Sequence, residues 1–321
     1  MNSALGFVLA AFVYPGALAA LIVAWAFGWA RGFARSAAEG QPAPGPFSQV
    51  ATIRTLFARE TFAPEGVSLF ALSLGTTVAL VAPLTALLLL PVPGNALVRS
   101  IGLQGDLIAE VALLLGLPLA RLFLGWIIPS PFSRLAADRG ARLLAGVTLP
   151  LILGITALGQ VRGELTLAAA SSTIGQAPFS LIAVGLGAVA FLVTLPALAA
   201  LTPLRAADAD ELAAGEATDL SGHDLAFLRI GEALQLVACS AFFALVFASP
   251  FLTRVTNPIA QGVALLVVAI LVAVGLGAWE GRFGKRPEGD EAERPPLTWW
   301  VGAPTLIGLA ALVAAAWATR G

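Results

Sequence analysis

Eight apolar runs dictate what this chain can fold into, because each has the roughly 20 residues needed to cross ~30 Å of hydrocarbon. They fall at about 4–30, 66–91, 104–127, 142–161, 177–201, 226–249, 258–280 and 298–318. Polar segments, or segments rich in proline and glycine, join them. Of 321 residues, 58% are hydrophobic and 12% charged, whereas a soluble domain carries about 25% charged residues. The expected fold class is therefore all-α. The chain reads as a polytopic integral membrane protein, a single membrane domain over 1–321 with about eight transmembrane helices. The first run lacks a basic leader and reads as a span, not a cleaved signal peptide. No internal repeat of the inverted-transporter kind is visible.

The basic residues orient these spans. Connections one, three, five and seven hold most of the 18 lysines and arginines. The other connections and the C-terminus carry only Arg99, Arg162, Arg254 and Arg320. By the positive-inside rule the odd connections are cytoplasmic and both termini lie on the outer face of the cell (inner) membrane. Net charge is −1, which offers no basic surface for nucleic acid. The single cysteine, Cys239, cannot make an internal disulfide, a cysteine-only zinc site or an iron–sulfur site. No phosphate loop, nucleophile elbow or metal-ligand cluster is present. The chain does not read as a self-contained enzyme, and if it serves electron transfer the electrons travel in another subunit.

Three connections stand out. The first, 31–65, holds GQPAPGP (40–46), which cannot continue a helix. After it, FSQVATIRTLFARE (47–60) sets Phe47, Val50, Ile53 and Phe57 at helical spacing, as in an amphipathic helix lying in the membrane interface. The plainer alternative is a surface helix packed on a neighbouring loop. In the third, Pro129 and Pro131 end span three, and Asp138 among Arg134, Arg139 and Arg142 predicts a compact charged loop. The fifth, 202–225, is acidic. With the start of span six it holds Asp208, Asp210, Glu211, Glu216, Asp219, Asp224 and Glu232, seven of the 19 carboxylates, and the only histidine, His223. Trp126, Trp279, Trp299 and Trp300 fall at span ends and read as interfacial anchors.

Charges also lie within the spans. Asp106 and Glu110 share one face at the start of span three, with Arg121 three turns further on. Glu232 lies two turns into span six, beside Gln235, and Glu280 closes span seven. A carboxylate at a span centre costs roughly 2.5–3.5 kcal/mol to insert, so it faces protein or water, is paired, or is neutral. The functional reading is a proton relay. The structural reading is a set of ion pairs, such as Glu110 with Arg121, or groups snorkelling to the interface. His223 reads as a surface residue and Cys239 as core packing.

In order and spacing these segments resemble a known family. GPFSQVATIRTLFARE (45–60) is similar to a Gly-Pro, Gln, Lys-Leu, Lys-Glu pattern, with Gln49, Arg54, Arg59 and Glu60 on its polar positions. SRLAADRGARLL (133–144) resembles a Gly-Ala-x-Arg signature, with Arg142 near the expected arginine. PLRAADADELAAGEATDLSG (203–222) resembles an acidic segment with Glu-Leu-x-x-Gly and Glu-Tyr-Ser-Gly: Glu211, Leu212 and Gly215 match, as do Ser221 and Gly222, with Asp219 for Glu and Leu220 for Tyr. Glu232 falls where the family has a glutamate. The family is the subunit 1 membrane protein of respiratory complex I. It is homologous to the anchor subunit of energy-converting nickel–iron hydrogenases and formate hydrogenlyases. The resemblance covers almost the whole chain.

That resemblance implies a subunit coupling redox chemistry to movement of H⁺ or Na⁺. The chain itself would bind no redox centre. Iron–sulfur and nickel–iron centres would sit in peripheral hydrogenase-like partners, antiporter-like subunits would lie beside it in the bilayer, and a quinone is admitted at the interface with the peripheral subunits. Asp208, Asp210, Glu211, Glu216 and Asp219 would form the coupling loop. Asp106, Glu110, Glu232 and Glu280 would carry protons or hold charge pairs. Arg54, Arg59, Glu60, Arg134, Arg139 and Arg142 would dock the peripheral arm or orient the carboxylates. The chain departs from the family at Leu204 and Arg205, where Phe-Asp is expected, and in span four, 143–159, which has no acid. It also lacks the acid–base pair of span one and the complex I pattern in the last cytoplasmic loop. These departures point towards the hydrogenase-type branch. The alternatives are the quinone-site subunit of NADH:quinone oxidoreductase, a stand-alone secondary ion or solute transporter, and a purely structural anchor.

Overall fold

A computed structural model describes residues 12, 16–62, 64–91, 106–167, 178–199, 216–252, 257–283 and 297–319. Its regular elements among the described residues are helical. They are α1 (Ala17–Glu39), α2 (Ser48–Phe57), α3 (Leu69–Leu89), α4 (Asp106–Leu114), α5 (Gly116–Ile127), α6 (Pro131–Arg162), α7 (Pro178–Leu198), the single turn α8 (Glu216–Asp219), α9 (Gly222–Phe243), α10 (Pro258–Phe283) and α11 (Leu297–Ala318). A π turn, Ala244–Ala248, continues α9, and α4 with α5 forms one span interrupted at Leu115. Seven spans are long and apolar enough, by length and composition, to cross a membrane, and α11 adds a shorter apolar stretch, Gly302–Ala318.

The helix α9 is the axis of the bundle. Of its apolar window 72% is buried inside the protein, against 17% for α10 and 22% for α1. It packs on α1, α3 and α10, and also on α2, α4, α5 and α7. The main core gathers Phe27, Leu114, Leu151, Phe191, Phe242 and Phe247 around it. At one flank α6, α7 and α11 meet through Ala157, Ala183, Ala311 and Ala315. Small residues there let backbones approach closely: Gly154 of α6 and Gly187 of α7 each face the other's carbonyl.

Two elements differ from expectation. The first span continues to Glu39, past the predicted 30. Arg35 Nε binds Glu39 Oε1 at 2.7 Å, one turn apart, and Gly40 closes the helix in the left-handed region at φ 66°. Most of the loop predicted over 128–144 is instead the start of α6, which is wound from Pro131. Pro131 at the first helical position has the φ a helix needs, Ala136 and Ala137 are buried, and Ala137 with the Ser133 carbonyl lies against Gly125 of α5. The helix expected within 47–60 is α2. Leu56 is its buried residue, while Phe47, Val50 and Phe57 stay exposed on the apolar side expected to meet lipid.

Candidate functional site: a polar ladder beneath a clasp of loops

Connections one, three and five meet, in their described residues, at one end of the bundle, here the polar end. Two tryptophans of α1 hold the first connection. Trp25 Nε1 donates to the Pro46 carbonyl at 2.6 Å and Trp29 Nε1 to that of Pro44 at 3.3 Å, while Phe47 stacks on Trp25. This carries Thr61 and Phe62 to the start of α9. The Phe62 amide donates to Ser221 Oγ at 2.7 Å, and Thr61 Oγ1 lies 2.8 Å from His223 Nδ1. The His223 ring also meets the edge of Phe57. Between these contacts Gly222 has φ 54°, and a side chain there would strike Thr61 and the Glu60 carbonyl. Only glycine fits both the backbone and the space.

The acidic connection is fixed from its other side by α6. Ser133 Oγ donates to Asp219 Oδ2 at 2.5 Å. This sets the carboxylate beside the first turn of a 32-residue helix, where the macrodipole favours negative charge. Connections one, three and five are thus tied at Thr61, Phe62, Ser133, Asp219, Ser221 and His223.

Below the clasp a ladder of polar side chains descends α9. Asp224, 8% exposed, accepts from Thr76 Oγ1 of α3 at 3.1 Å. Two turns on, Glu232 lies between two guanidinium groups: Arg121 Nη1 of α5 at 3.1 Å and Arg229 Nη1 of its own helix at 2.8 Å. Next, Gln235 Nε2 donates to the Leu114 carbonyl at 2.6 Å. Pro118 explains that bond. It has no N–H, so the Leu114 carbonyl lacks its donor four residues ahead, and the amide of Gln235 supplies one. Glu110, fully buried, belongs to α4 on the same side of α9. Pro83 similarly frees the Ala79 carbonyl of α3, and Gly231 is the close neighbour that a side chain would drive away.

The predicted site residues divide accordingly. Glu110, Asp219 and Glu232 belong to the α9 region. Glu280 sits in a second cluster at the α1–α10 seam, 3.8 Å from Arg31 Nε and 3.4 Å from Arg35 Nη1. Asp106 opens α4 and Glu216 opens α8. Asp208, Asp210 and Glu211 lie outside the described residues. Arg54, Arg59 and Glu60 are exposed beside the clasp, as are Arg134, Arg139 and Arg142 on α6. The sequence offers Arg121 as a partner for Glu110; in the structure its Nη1 lies 3.1 Å from Glu232 Oε1. Thr61, Thr76 and Ser133 carry no such signal in the sequence, and Asp224 stands there only as one of the seven carboxylates of the acidic stretch. The pattern Ser221-x-x-Asp224 resembles a helix N-terminus and could have marked Asp224. No group of three or more metal-ligating side chains occurs among the described residues.

A sequence model described as NADH dehydrogenase matches residues 8–313. The chain belongs to the NADH dehydrogenase family. The resemblance to the subunit 1 membrane protein is thereby upheld, and with it the reading as an integral membrane protein. No curated protein sequence matches the chain. Among solved structures it is similar to a chain of the membrane-bound sulfane sulfur reductase, an archaeal respiratory membrane complex. That similarity has a TM-score of 0.67 at 20% identity and covers 93% of this chain and 97% of the other. The two share a fold over nearly their whole lengths.

Proposed function

We propose that this family member is the membrane-embedded coupling and anchoring subunit of a complex I-like respiratory complex. In this reading it links electron transfer in peripheral subunits to movement of H⁺ or Na⁺. The observation that carries the proposal is the direct covalent continuity between the clasp and the ladder: the segment held by Thr61, Phe62 and Ser133 is the start of the helix bearing Asp224 and Glu232. A displacement of the odd-numbered connections by a docked partner would move α9 and with it the Glu232–Arg121 pair. Membership of the NADH dehydrogenase family, and the fold shared with a chain of an archaeal respiratory complex, support an assembly of this class.

In this proposal the odd-numbered connections are cytoplasmic. The acidic loop around Asp208, Asp210, Glu211, Glu216 and Asp219 transmits the docking event. Arg54, Arg59, Glu60, Arg134, Arg139 and Arg142 form the docking surface. Asp106, Glu110, Glu232 and Glu280 hold or pass charge. Redox centres reside in peripheral partners, for which a nickel–iron hydrogenase-type module is the lead reading, and a quinone at that interface is part of the quinone-reductase reading. The first test is gentle purification through a tag on this chain, with mass spectrometry of its companions. A nickel-site large subunit with ferredoxin-like and antiporter-like subunits is the expected outcome. NADH-oxidising flavoprotein subunits would move the assignment to complex I proper. A chain that purifies alone and transports a solute would end the coupling-subunit reading.

A further inference from the structure

At the opposite end of the bundle from the ladder, a crevice of about 440 Å³ runs between α1, α3, α9 with its π turn, and α10. Its long axis follows the helices. Ala19, Leu90, Leu245 and Ile259 mark its outer end, and Phe27, Val237 and Ala269 its inner end. Two of the four elements, α1 and α10, run inward and two, α3 and α9, run outward, yet each enters the lining at the same level. Every lining side chain is aliphatic or aromatic hydrocarbon, or glycine. Ala20, Ala241 and Gly262 leave the room.

A void of this size would forfeit contacts along its whole wall. Water is a poor filler, since a buried water needs polar partners that this lining does not offer. The mouth is continuous with a bilayer-facing surface, as Ile259, Val263 and Leu266 of α10 are both lining and exposed. From Ile259 to Ala269 the crevice spans ~15 Å at the helical rise of 1.5 Å per residue, which is half of the ~30 Å hydrocarbon core. Its depth is that of one leaflet.

We propose that this crevice binds one acyl chain of a phospholipid, drawn from the leaflet at the end opposite the clasp, with the chain's methyl end at Phe27, Val237 and Ala269. The match to a single leaflet favours a phospholipid chain over an isoprenoid tail, which no headgroup confines to one leaflet. The chain would act as a packing element between α1, α9 and α10, and its site is separate from the ladder, none of whose polar residues lines it.

The test uses the full chain in phosphatidylcholine nanodiscs containing a phosphatidylcholine with a photoreactive diazirine on one acyl chain. Two probes are compared, one tagged near the carboxyl end and one near the methyl end, and adducts are mapped by peptide mass spectrometry. The expected result is enrichment over bilayer-facing Leu309 and Val313 of α11, with the carboxyl-end probe on Leu90, Leu245 and Ile259 and the methyl-end probe on Phe27, Val237 and Ala269. Filling the crevice with Ala241→Leu and Gly262→Leu should reduce that labelling to the level of α11. If the filled variant does not fold, the depth order in the unsubstituted chain decides. Labelling no stronger than on α11, or the same residues marked by both probes, overturns the proposal. So does displacement of the probe by an isoprenoid quinone at equal concentration. Loss of labelling in the purified complex would also overturn it, because a partner helix would then be the occupant.

Discussion

At the residue scale Asp224, Glu232 and Gln235 of the ladder each have a partner on another helix. Gln235 shows the logic most clearly, since its role is created by a proline 117 positions earlier in the chain, Pro118. Replacing it by leucine leaves the Leu114 carbonyl without its donor, at a cost of roughly 1–3 kcal/mol. In a Pro118→Ala background the helix supplies its own donor at residue 118, so Gln235→Leu should then cost much less. Thermal unfolding of the four proteins in detergent measures the difference, and an equal cost in both backgrounds would refute the assignment. The Glu232 pair behaves differently. Arg121→Met removes the neighbouring helix's guanidinium from a largely buried carboxylate and should destabilise by roughly 3 kcal/mol. Replacing Arg229 by methionine as well removes both of these guanidinium groups, so adding Glu232→Gln to that double variant takes away the stranded charge and should raise its stability. If it does not, these two guanidinium groups are not what holds Glu232. Arg121 and Glu232 were both visible in the sequence as charges in spans. Their pairing was not, because 111 residues separate them.

At the element scale the α1–α10 seam is closed by near approach of the two backbones. On α10, Gly277 and Gly281 stand one turn apart, and side chains at these positions would meet the carbonyls of Arg31 and Arg35 on α1. That contact lets Glu280 reach both arginines. Gly277→Leu should therefore cost roughly 1–3 kcal/mol through overpacking, while Gly275→Leu, with nothing within 4 Å, should leave stability unchanged. Equal melting temperatures for the two variants would rule out the seam as a packing contact. The span periodicity was legible because hydrocarbon imposes it on every turn. The helical start of α6 was less so: its arginines and Asp138 look like a loop by composition. The burial of this turn, with Ala137 and the Ser133 carbonyl against Gly125 of α5, explains why the segment stays wound.

At the scale of the whole molecule the clasp turns three separate connections into one surface. Ser221→Ala removes the acceptor of the Phe62 amide, so hydrogen exchange at that single amide should quicken while exchange along the buried part of α9 does not change. An unaltered Phe62 rate would mean the clasp does not hold in solution. The sequence by itself determined the bilayer as solvent, the helical class, the approximate positions of the spans and the amphipathic α2, because hydrophobicity at helical length is a local property. It also supplied the order of motifs that carries the family. Only the tertiary structure decided which charges meet: Asp219 with Ser133, Asp224 with Thr76, Glu232 with Arg121, and Glu280 with Arg31 and Arg35. An ion pair or a hydrogen bond acts over a few ångströms and has no sequence period, so its partner is fixed by how the helices pack and by the glycines and prolines that let them approach.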